Sequence, residues 1–191
     1  EVTMDVHEYS PYNEDWKSYG YRKNSEVTLG TTTNPNVSER IRRLSREKVL
    51  PFILGYLNER GFSSFEYCPG GPPEVNYIRN STFDINDGRQ SLGIQNTLSF
   101  IQEGMNGTDS YIENLARRAE GQLAGMRGLL DYVYQNGGNI RKLVAKEREK
   151  LISGRPGRTV SGYRWAKRGR QDEPGQPRPA VLRRHRRGHP G

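Results

Sequence analysis

The chain has 191 residues, 32% of them hydrophobic, with one cysteine and 30 Lys+Arg against 22 Asp+Glu for a net charge of +8. That length holds one modest domain, and the lone Cys68 excludes an internal disulfide or a cysteine-based zinc site. No run of roughly 18 apolar residues is present, which argues against a membrane span, and no charged and apolar leader accompanies Glu1, so a processed product or a fragment is expected.

Val2, Met4 and Val6 alternate with polar neighbours, the period of a half-buried strand, and the strand ends at His7. From Glu8 to Pro35 the chain is rich in Tyr, Asn, Gly, Ser and Thr without a sustained period and reads as a long functional loop. Asn36 followed by Glu39 predicts a helix cap, after which Val37, Ile41, Leu44, Ile53, Leu54 and Leu57 keep a helical stripe up to Gly61, with a kink or interruption expected at Pro51. Pro69-Gly-Gly-Pro-Pro73 breaks the chain, and Asn76 to Gln90 reads as a second surface loop. The mostly apolar run from Leu92 to Ile101 predicts a buried strand that Glu103 and Gly104 end.

Thr108 to Ser110 can cap a helix whose apolar positions Tyr111, Leu115, Ala119, Leu123, Met126, Leu130 and Val133 recur at helical spacing, until Asn136-Gly-Gly138 stops it. A shorter helix, Ile140 to Ile152, follows, with Leu143, Val144 and Leu151 on one side. Beyond it the charge is unevenly placed. From Gly154 to Gly191 there are eleven Lys+Arg and two Asp+Glu, so this tail carries +9 and residues 1 to 153 carry −1. With seven Gly and five Pro in 38 residues, the tail is predicted to be disordered, since it cannot bury enough surface to offset its ordering entropy. It is either a basic arm, with Tyr163 and Trp165 available for stacking on a polyanion, or an out-of-frame extension with no selected function. His185 and His189 lie beside Gly188 and Pro190, which argue against the helix that would let them share a metal.

Residues 1 to 153 hold a single histidine, His7, and imidazole is both the usual neutral-pH base and the commonest zinc ligand. No Gly-x-Ser-x-Gly elbow, P-loop or Gly-x-Gly-x-x-Gly occurs. Taken alone, a histidine at a strand end is most often structural and a glutamate at a strand-to-loop junction most often solvated. Together, Asp5-Val-His7-Glu-Tyr9-Ser10 after a strand and Gly93-Ile-Gln-Asn-Thr-Leu-Ser-Phe-Ile-Gln-Glu103-Gly further on resemble, in the same order, two motifs of the zinc carboxypeptidases of the M14 metallopeptidase family. The resemblance extends over about residues 1 to 136. Arg79 to Gly93, Asn96 to Phe100 and the following helix are similar to bacterial members with a shortened or redrawn specificity loop.

The resemblance implies an α/β fold, the C-terminal part of an α/β/α arrangement with a mixed central sheet. It implies zinc as cofactor, His7 as the third zinc ligand and Glu103 as the catalytic general base and acid, with a peptide or protein C-terminus as substrate. It further implies an extracellular or periplasmic location. Such a zinc needs three protein ligands plus water, with a carboxylate to take the proton of that water. The sequence departs from the family in holding no His-x-x-Glu, the source of the first two ligands, nor the arginines that follow it there. Only the C-terminal portion is therefore expected, arranged as residues 1–136, an additional helix at 137–153 and the basic tail at 154–191, and inactive by itself. Tyr77 is the nearest counterpart of a substrate-capping tyrosine. Arg79 and Arg89 are either solvated on their polar loop or face the cleft and meet a substrate carboxylate through bidentate contacts. Two other functions are compatible with the same residues: a non-enzymatic polyanion-binding protein acting through its tail, and a peptidase-like domain that only binds peptides.

Overall fold

In the computed structural model the described residues are 1–11, 14–21, 23–72, 74, 81–106 and 114–154. The chain divides into a compact unit, Glu1–Thr159, and a second, Val160–Gly191, which lies outside the described residues together with most of the basic tail.

The architecture is mixed α/β. Four strands, β1 (Val2–Tyr9), β2 (Val27–Thr31), β3 (Ser64–Glu66) and β4 (Leu98–Met105), form one sheet in the order β1-β4-β2-β3. β4 is parallel to β1 and antiparallel to β2, and β2 is parallel to β3, so the sheet is mixed. The helices are α1 (Glu14–Ser18), α2 (Glu39–Leu44), α3 (Leu50–Glu59), α4 (Gly88–Gly93) and α5 (Leu115–Ile152), with a π-helical turn, Ser45–Val49, joining α2 to α3. None of the described helices is long and apolar enough to cross a membrane.

Several local expectations are corrected. The stretch from Glu8 to Pro35 contains a strand, β2, whose Val27, Leu29 and Thr31 are buried; its five residues are too short to show a period inside a polar segment. The strand begun by Val2 runs past His7 to Tyr9, and the later one starts at Leu98 and runs past Glu103 to Met105. The cap residue of α2 is Ser38 rather than Asn36. The interruption expected at Pro51 takes the form of the π turn Ser45–Val49, after which Pro51 falls in the first turn of α3, where its missing amide donor is tolerated. The loop read at Asn76 to Gln90 ends in α4, whose cap Asp87 accepts hydrogen bonds from the backbone N–H groups of Arg89 and Gln90.

The largest correction concerns α5. Gly137 and Gly138 do not stop it, and the two predicted helices are one element of 38 residues. The predicted cap, 108–110, lies outside the described residues. The face it buries is also not the one marked by Leu115, Leu123 and Leu130, all of which are exposed. It is the Gly121, Ala124, Gly125, Gly128 and Leu129 face, continued by Ile140 and Val144. Small side chains let the helix axis approach the sheet. A Cβ on Gly125 would stand 1.8 Å from Oε1 of Gln102 on β4, and one on Gly128 would stand 3.2 Å from the Tyr56 ring of α3. The core between them contains Val27, Leu29, Leu98 and Phe100 of the sheet, Ile53 and Leu57 of α3, and Ile140 and Val144 of α5.

Candidate functional site

In the parallel pairing of β1 with β4, His7 is opposite Glu103, and in the antiparallel pairing of β4 with β2, Glu103 is opposite Thr28. His7, Glu103 and Thr28 thus form one rung of the sheet, and neighbours on a rung project to the same face about 5 Å apart. The rung before it consists of Asp5, Ile101 and Gly30. Even-numbered residues of β4, Gln102 and Gly104, face α5, so the odd-numbered rungs face away from α5, toward α4 and the loop following β3.

The two sequence-predicted site residues are therefore side by side. His7 is more than half exposed, and its Nε2 lies 2.9 Å from Oδ1 of Asp5, two residues earlier on the same strand face. Glu103 is half-buried. Burial pushes its carboxyl above the usual carboxylate range, while the nearby charges of His7, Lys23 and Arg89 draw it back and Asp87 adds to the rise. A carboxyl so placed gives and takes protons nearer neutral pH than a solvated one.

Glu103 opens onto a cleft of about 310 Å³ lined by Tyr9, Trp16, Lys23, Thr28, Tyr67 and Cys68 among others. Lys23 is held over two aromatic rings, 5.1 Å from the Trp16 centroid and 5.8 Å from that of Tyr9, and its Nζ donates to the Cys68 carbonyl at 3.3 Å. Gly71 closes the loop against Trp16: its φ is +78°, and a Cβ there would overlap the indole at 2.3 Å. Burial raises the pKa of the Cys68 thiol, with Glu66 adding to the effect, so this thiol is less ionised than a free one.

The strand ends are fixed from the opposite face. Gln102 donates through Nε2 to the backbone carbonyl and the side-chain oxygen of Gln122 on α5, and Gln122 donates to the His7 carbonyl at 2.6 Å. Gly104 leaves room for Gln122, since a Cβ there would lie 2.7 Å from its Nε2. Arg118 of α5 grips Glu8 with two nitrogens, at 2.6 to 3.0 Å. These contacts were not foreseen, although alternation along each strand would have assigned Gln102 and Glu8 to the α5 face.

Arg89 is buried and reaches the odd-numbered face from the first turn of α4. Its Nη2 donates to Ser81 Oγ and to Asp87 Oδ2, each at 2.7 Å, and the guanidinium lies 4.9 Å from the Tyr67 ring centroid. It occupies the space above Gly30, where a Cβ would come within 2.7 Å of Nη1. Of the two alternatives open for Arg89, solvation is thus excluded. Tyr77 and Arg79 lie outside the described residues, as do Tyr163, Trp165, His185 and His189.

Among the described residues no three His, Cys, Asp or Glu side chains converge to hold a metal ion, and His7 with Asp5 supplies donors at one point. No family model, curated protein or solved structure matches this chain.

Proposed function

We propose that this chain is the C-terminal portion of a zinc-dependent metallocarboxypeptidase, hydrolysing peptide bonds at or near a free C-terminus, with Glu103 as general base and acid and His7 as one zinc ligand. The observation that carries the reading is the shared rung of His7 and Glu103, two residues before the ends of adjacent parallel strands. Two motifs 96 residues apart in the register, each unremarkable alone, pair on adjacent strands, and Glu103 of one and Tyr9 of the other line the same cleft. A half-buried carboxyl of raised pKa suits a group that takes a proton from water and returns it to a leaving amine. Asp5 holds the imidazole of His7 in one orientation. The mixed sheet with its helices supports the carboxypeptidase type of fold at a coarse level.

The sequence contributes one of the three ligands the reading requires. The 191-residue chain is accordingly expected to bind zinc weakly and to show no turnover in equilibrium dialysis and peptidase assays. Stoichiometric loading at micromolar zinc with measurable hydrolysis would overturn that expectation. The reading itself is tested on the protein translated from the complete open reading frame around this chain. One zinc per chain and release of C-terminal residues are expected. Glu103→Gln should retain the zinc and lose about 10²- to 10⁴-fold in kcat, the usual contribution of a positioned general base. Wild-type kcat in that variant refutes the assignment.

The concentration of charge in 154–191 favours a second activity, polyanion binding with a steep salt dependence. It predicts that nucleic-acid binding disappears when residues after Ser153 are removed.

A further inference from the structure

Residues 1 to 153 carry a net charge of −1, but that charge is not evenly spread. Residues 39–48, covering α2 and most of the π turn, hold five Lys+Arg against two Glu, and residues 139–150 of α5 hold the same numbers. Each segment is thus +3, and what remains of 1–153, with nine basic and sixteen acidic residues, is −7. Both basic segments contribute to the walls of one groove of about 470 Å³. A groove walled by one sign of charge concentrates ions of the other.

From α2 the groove takes Arg40, Arg43 and Leu44, and from α5 Asn136, Asn139, Ile140 and Leu143, each set lying on one face of its helix. Its floor is apolar. Ile140 is buried, Leu44 and Leu143 are half-buried against the core, and the Tyr132 ring beside them stands edge-on to Phe52, 5.2 Å between centroids. The arginines above this floor are lightly engaged. Arg40 meets Glu147 at 3.5 Å, a carboxylate that Lys150 already bonds through both oxygens at 2.7 and 2.8 Å and Ser38 through Oε2 at 2.9 Å. Glu147 therefore stays satisfied without Arg40. Arg43 reaches Glu47 through Nε at 3.3 Å, so its two Nη groups have no partner among the described residues. On the opposite wall Asn136 donates to the Tyr132 carbonyl at 2.9 Å, which leaves Asn139 as the amide able to donate into the groove. Between these asparagines, Gly137 and Gly138 weaken the helix although no neighbour requires glycine, since a Cβ on either would meet nothing within 4 Å.

We propose that the groove between α2 and α5 binds a small organic anion with an apolar body. The anionic head sits on the Nη groups of Arg40 and Arg43, and the body lies on Leu44, Ile140, Leu143 and the Tyr132 ring. The volume is that of a small-molecule site, and an apolar floor under a charged rim selects a ligand with both characters. The site stands apart from the proposed hydrolysis: it shares no lining residue with the Glu103 cleft, and α5 packs on the face of the sheet opposite Glu103. An aliphatic and an aromatic body offer the same chemistry to this floor, and the test tells them apart.

Four probes are titrated into the whole 191-residue chain: octanoate, 2-naphthoate, the neutral octanamide and inorganic phosphate. Binding is read from the Asn139 side-chain amide resonance and from intermolecular NOEs to the Leu44 and Leu143 methyl groups, so that anions held by the basic tail do not register. At least one organic anion should give these NOEs and saturate the Asn139 shift, and the tighter of the two identifies the body. Octanamide and phosphate, each lacking half of the required chemistry, should bind at least tenfold more weakly. The double change Arg40→Gln and Arg43→Gln alters two exposed side chains and should weaken binding at least tenfold while leaving the thermal midpoint of the free chain in place. No NOE from either organic anion, equal binding of octanamide or of phosphate, or undiminished binding by the double variant overturns the proposal. The comparison of octanoate with octanamide on the wild-type chain decides even where the double variant is destabilised.

Discussion

At the scale of single residues, Glu103 bears a cost that its position imposes. Folding raises its pKa, so the native state favours the protonated form. A group of this kind contributes fully at pH values below its unfolded pKa, near 4.3, and that contribution is lost as pH rises through the higher folded value. Glu147 acts in the opposite sense. Burial works to raise its pKa, but hydrogen bonds from Lys150 and Ser38 and the charges of Lys150 and Arg40 hold it below the usual range, so its stabilisation is lost as pH falls. Comparing Glu103→Gln with wild type cancels the Glu147 effect. The two should have the same denaturation midpoint at pH values below the unfolded pKa, and the variant should become the more stable as pH rises toward neutrality. Equal midpoints at pH 7.5 would show that Glu103 is not strained by its site. His7 and Glu103 were legible because each follows a strand-like run that announces its position. Asp5 was equally available, two residues before His7 on the same face, but nothing in the sequence marks it as a partner. Arg89 was hidden by its neighbours: Ser81, Asp84, Asn86, Asp87 and Gly88 give the segment a loop's composition, and only the N-cap at Asp87 signalled a helix.

At the scale of elements, the instructive case is α5. Its apolar periodicity is genuine, yet Leu115, Leu123 and Leu130 face outward, because the face that meets the sheet must be thin enough to accept Gln102, Phe62 and Tyr56. Glycine therefore carries two opposite meanings in one helix. At Gly125 a methyl group would displace the buried Gln102 side chain, so Gly125→Ala should destabilise by about 1–3 kcal/mol, the range for overpacking. At Gly137 and Gly138 a Cβ meets nothing within 4 Å, so each Ala substitution should stabilise by about 0.5–1 kcal/mol through helix propensity alone. Urea denaturation of the three variants measures both signs. A loss at Gly137→Ala would mean that the helix is broken there, as the Asn-Gly-Gly sequence suggests. The strands show why short elements escape a periodicity argument. β2 has five residues and β3 three, and both depend on pairing with neighbours distant in sequence. Local pattern cannot reveal such partners.

At the scale of the whole molecule, the continuity of α5 changes what counts as the domain. An accessory helix at 137–153 would be dispensable, but the observed one closes the core. Ile140 and Val144 are buried against it, and Glu147 accepts from Ser38 Oγ at 2.9 Å while its backbone carbonyl accepts from Asn96 Nδ2 at 3.0 Å. Asn96 in turn accepts from the Ser38 N–H at 2.8 Å. The end of α5 thus ties the start of α2 to the turn that precedes β4, the strand carrying Glu103. Asn96 holds that turn in the left-handed region, with φ at 55°, where asparagine is among the few side chains tolerated. Removing residues after 136 would forfeit about 1.5–3 kcal/mol for each of the two aliphatic side chains and about 1 kcal/mol for each neutral hydrogen bond, several kcal/mol altogether. Against the 5–15 kcal/mol typical of a whole domain, that loss is large enough to unfold it. A chain ending at Asn136 should accordingly lose its near-ultraviolet circular dichroism and its cooperative thermal transition at 25 °C. An unchanged transition would restore the reading in which the domain ends at 136, and would mean that the tie through Ser38 and Asn96 contributes little to holding β4 in place.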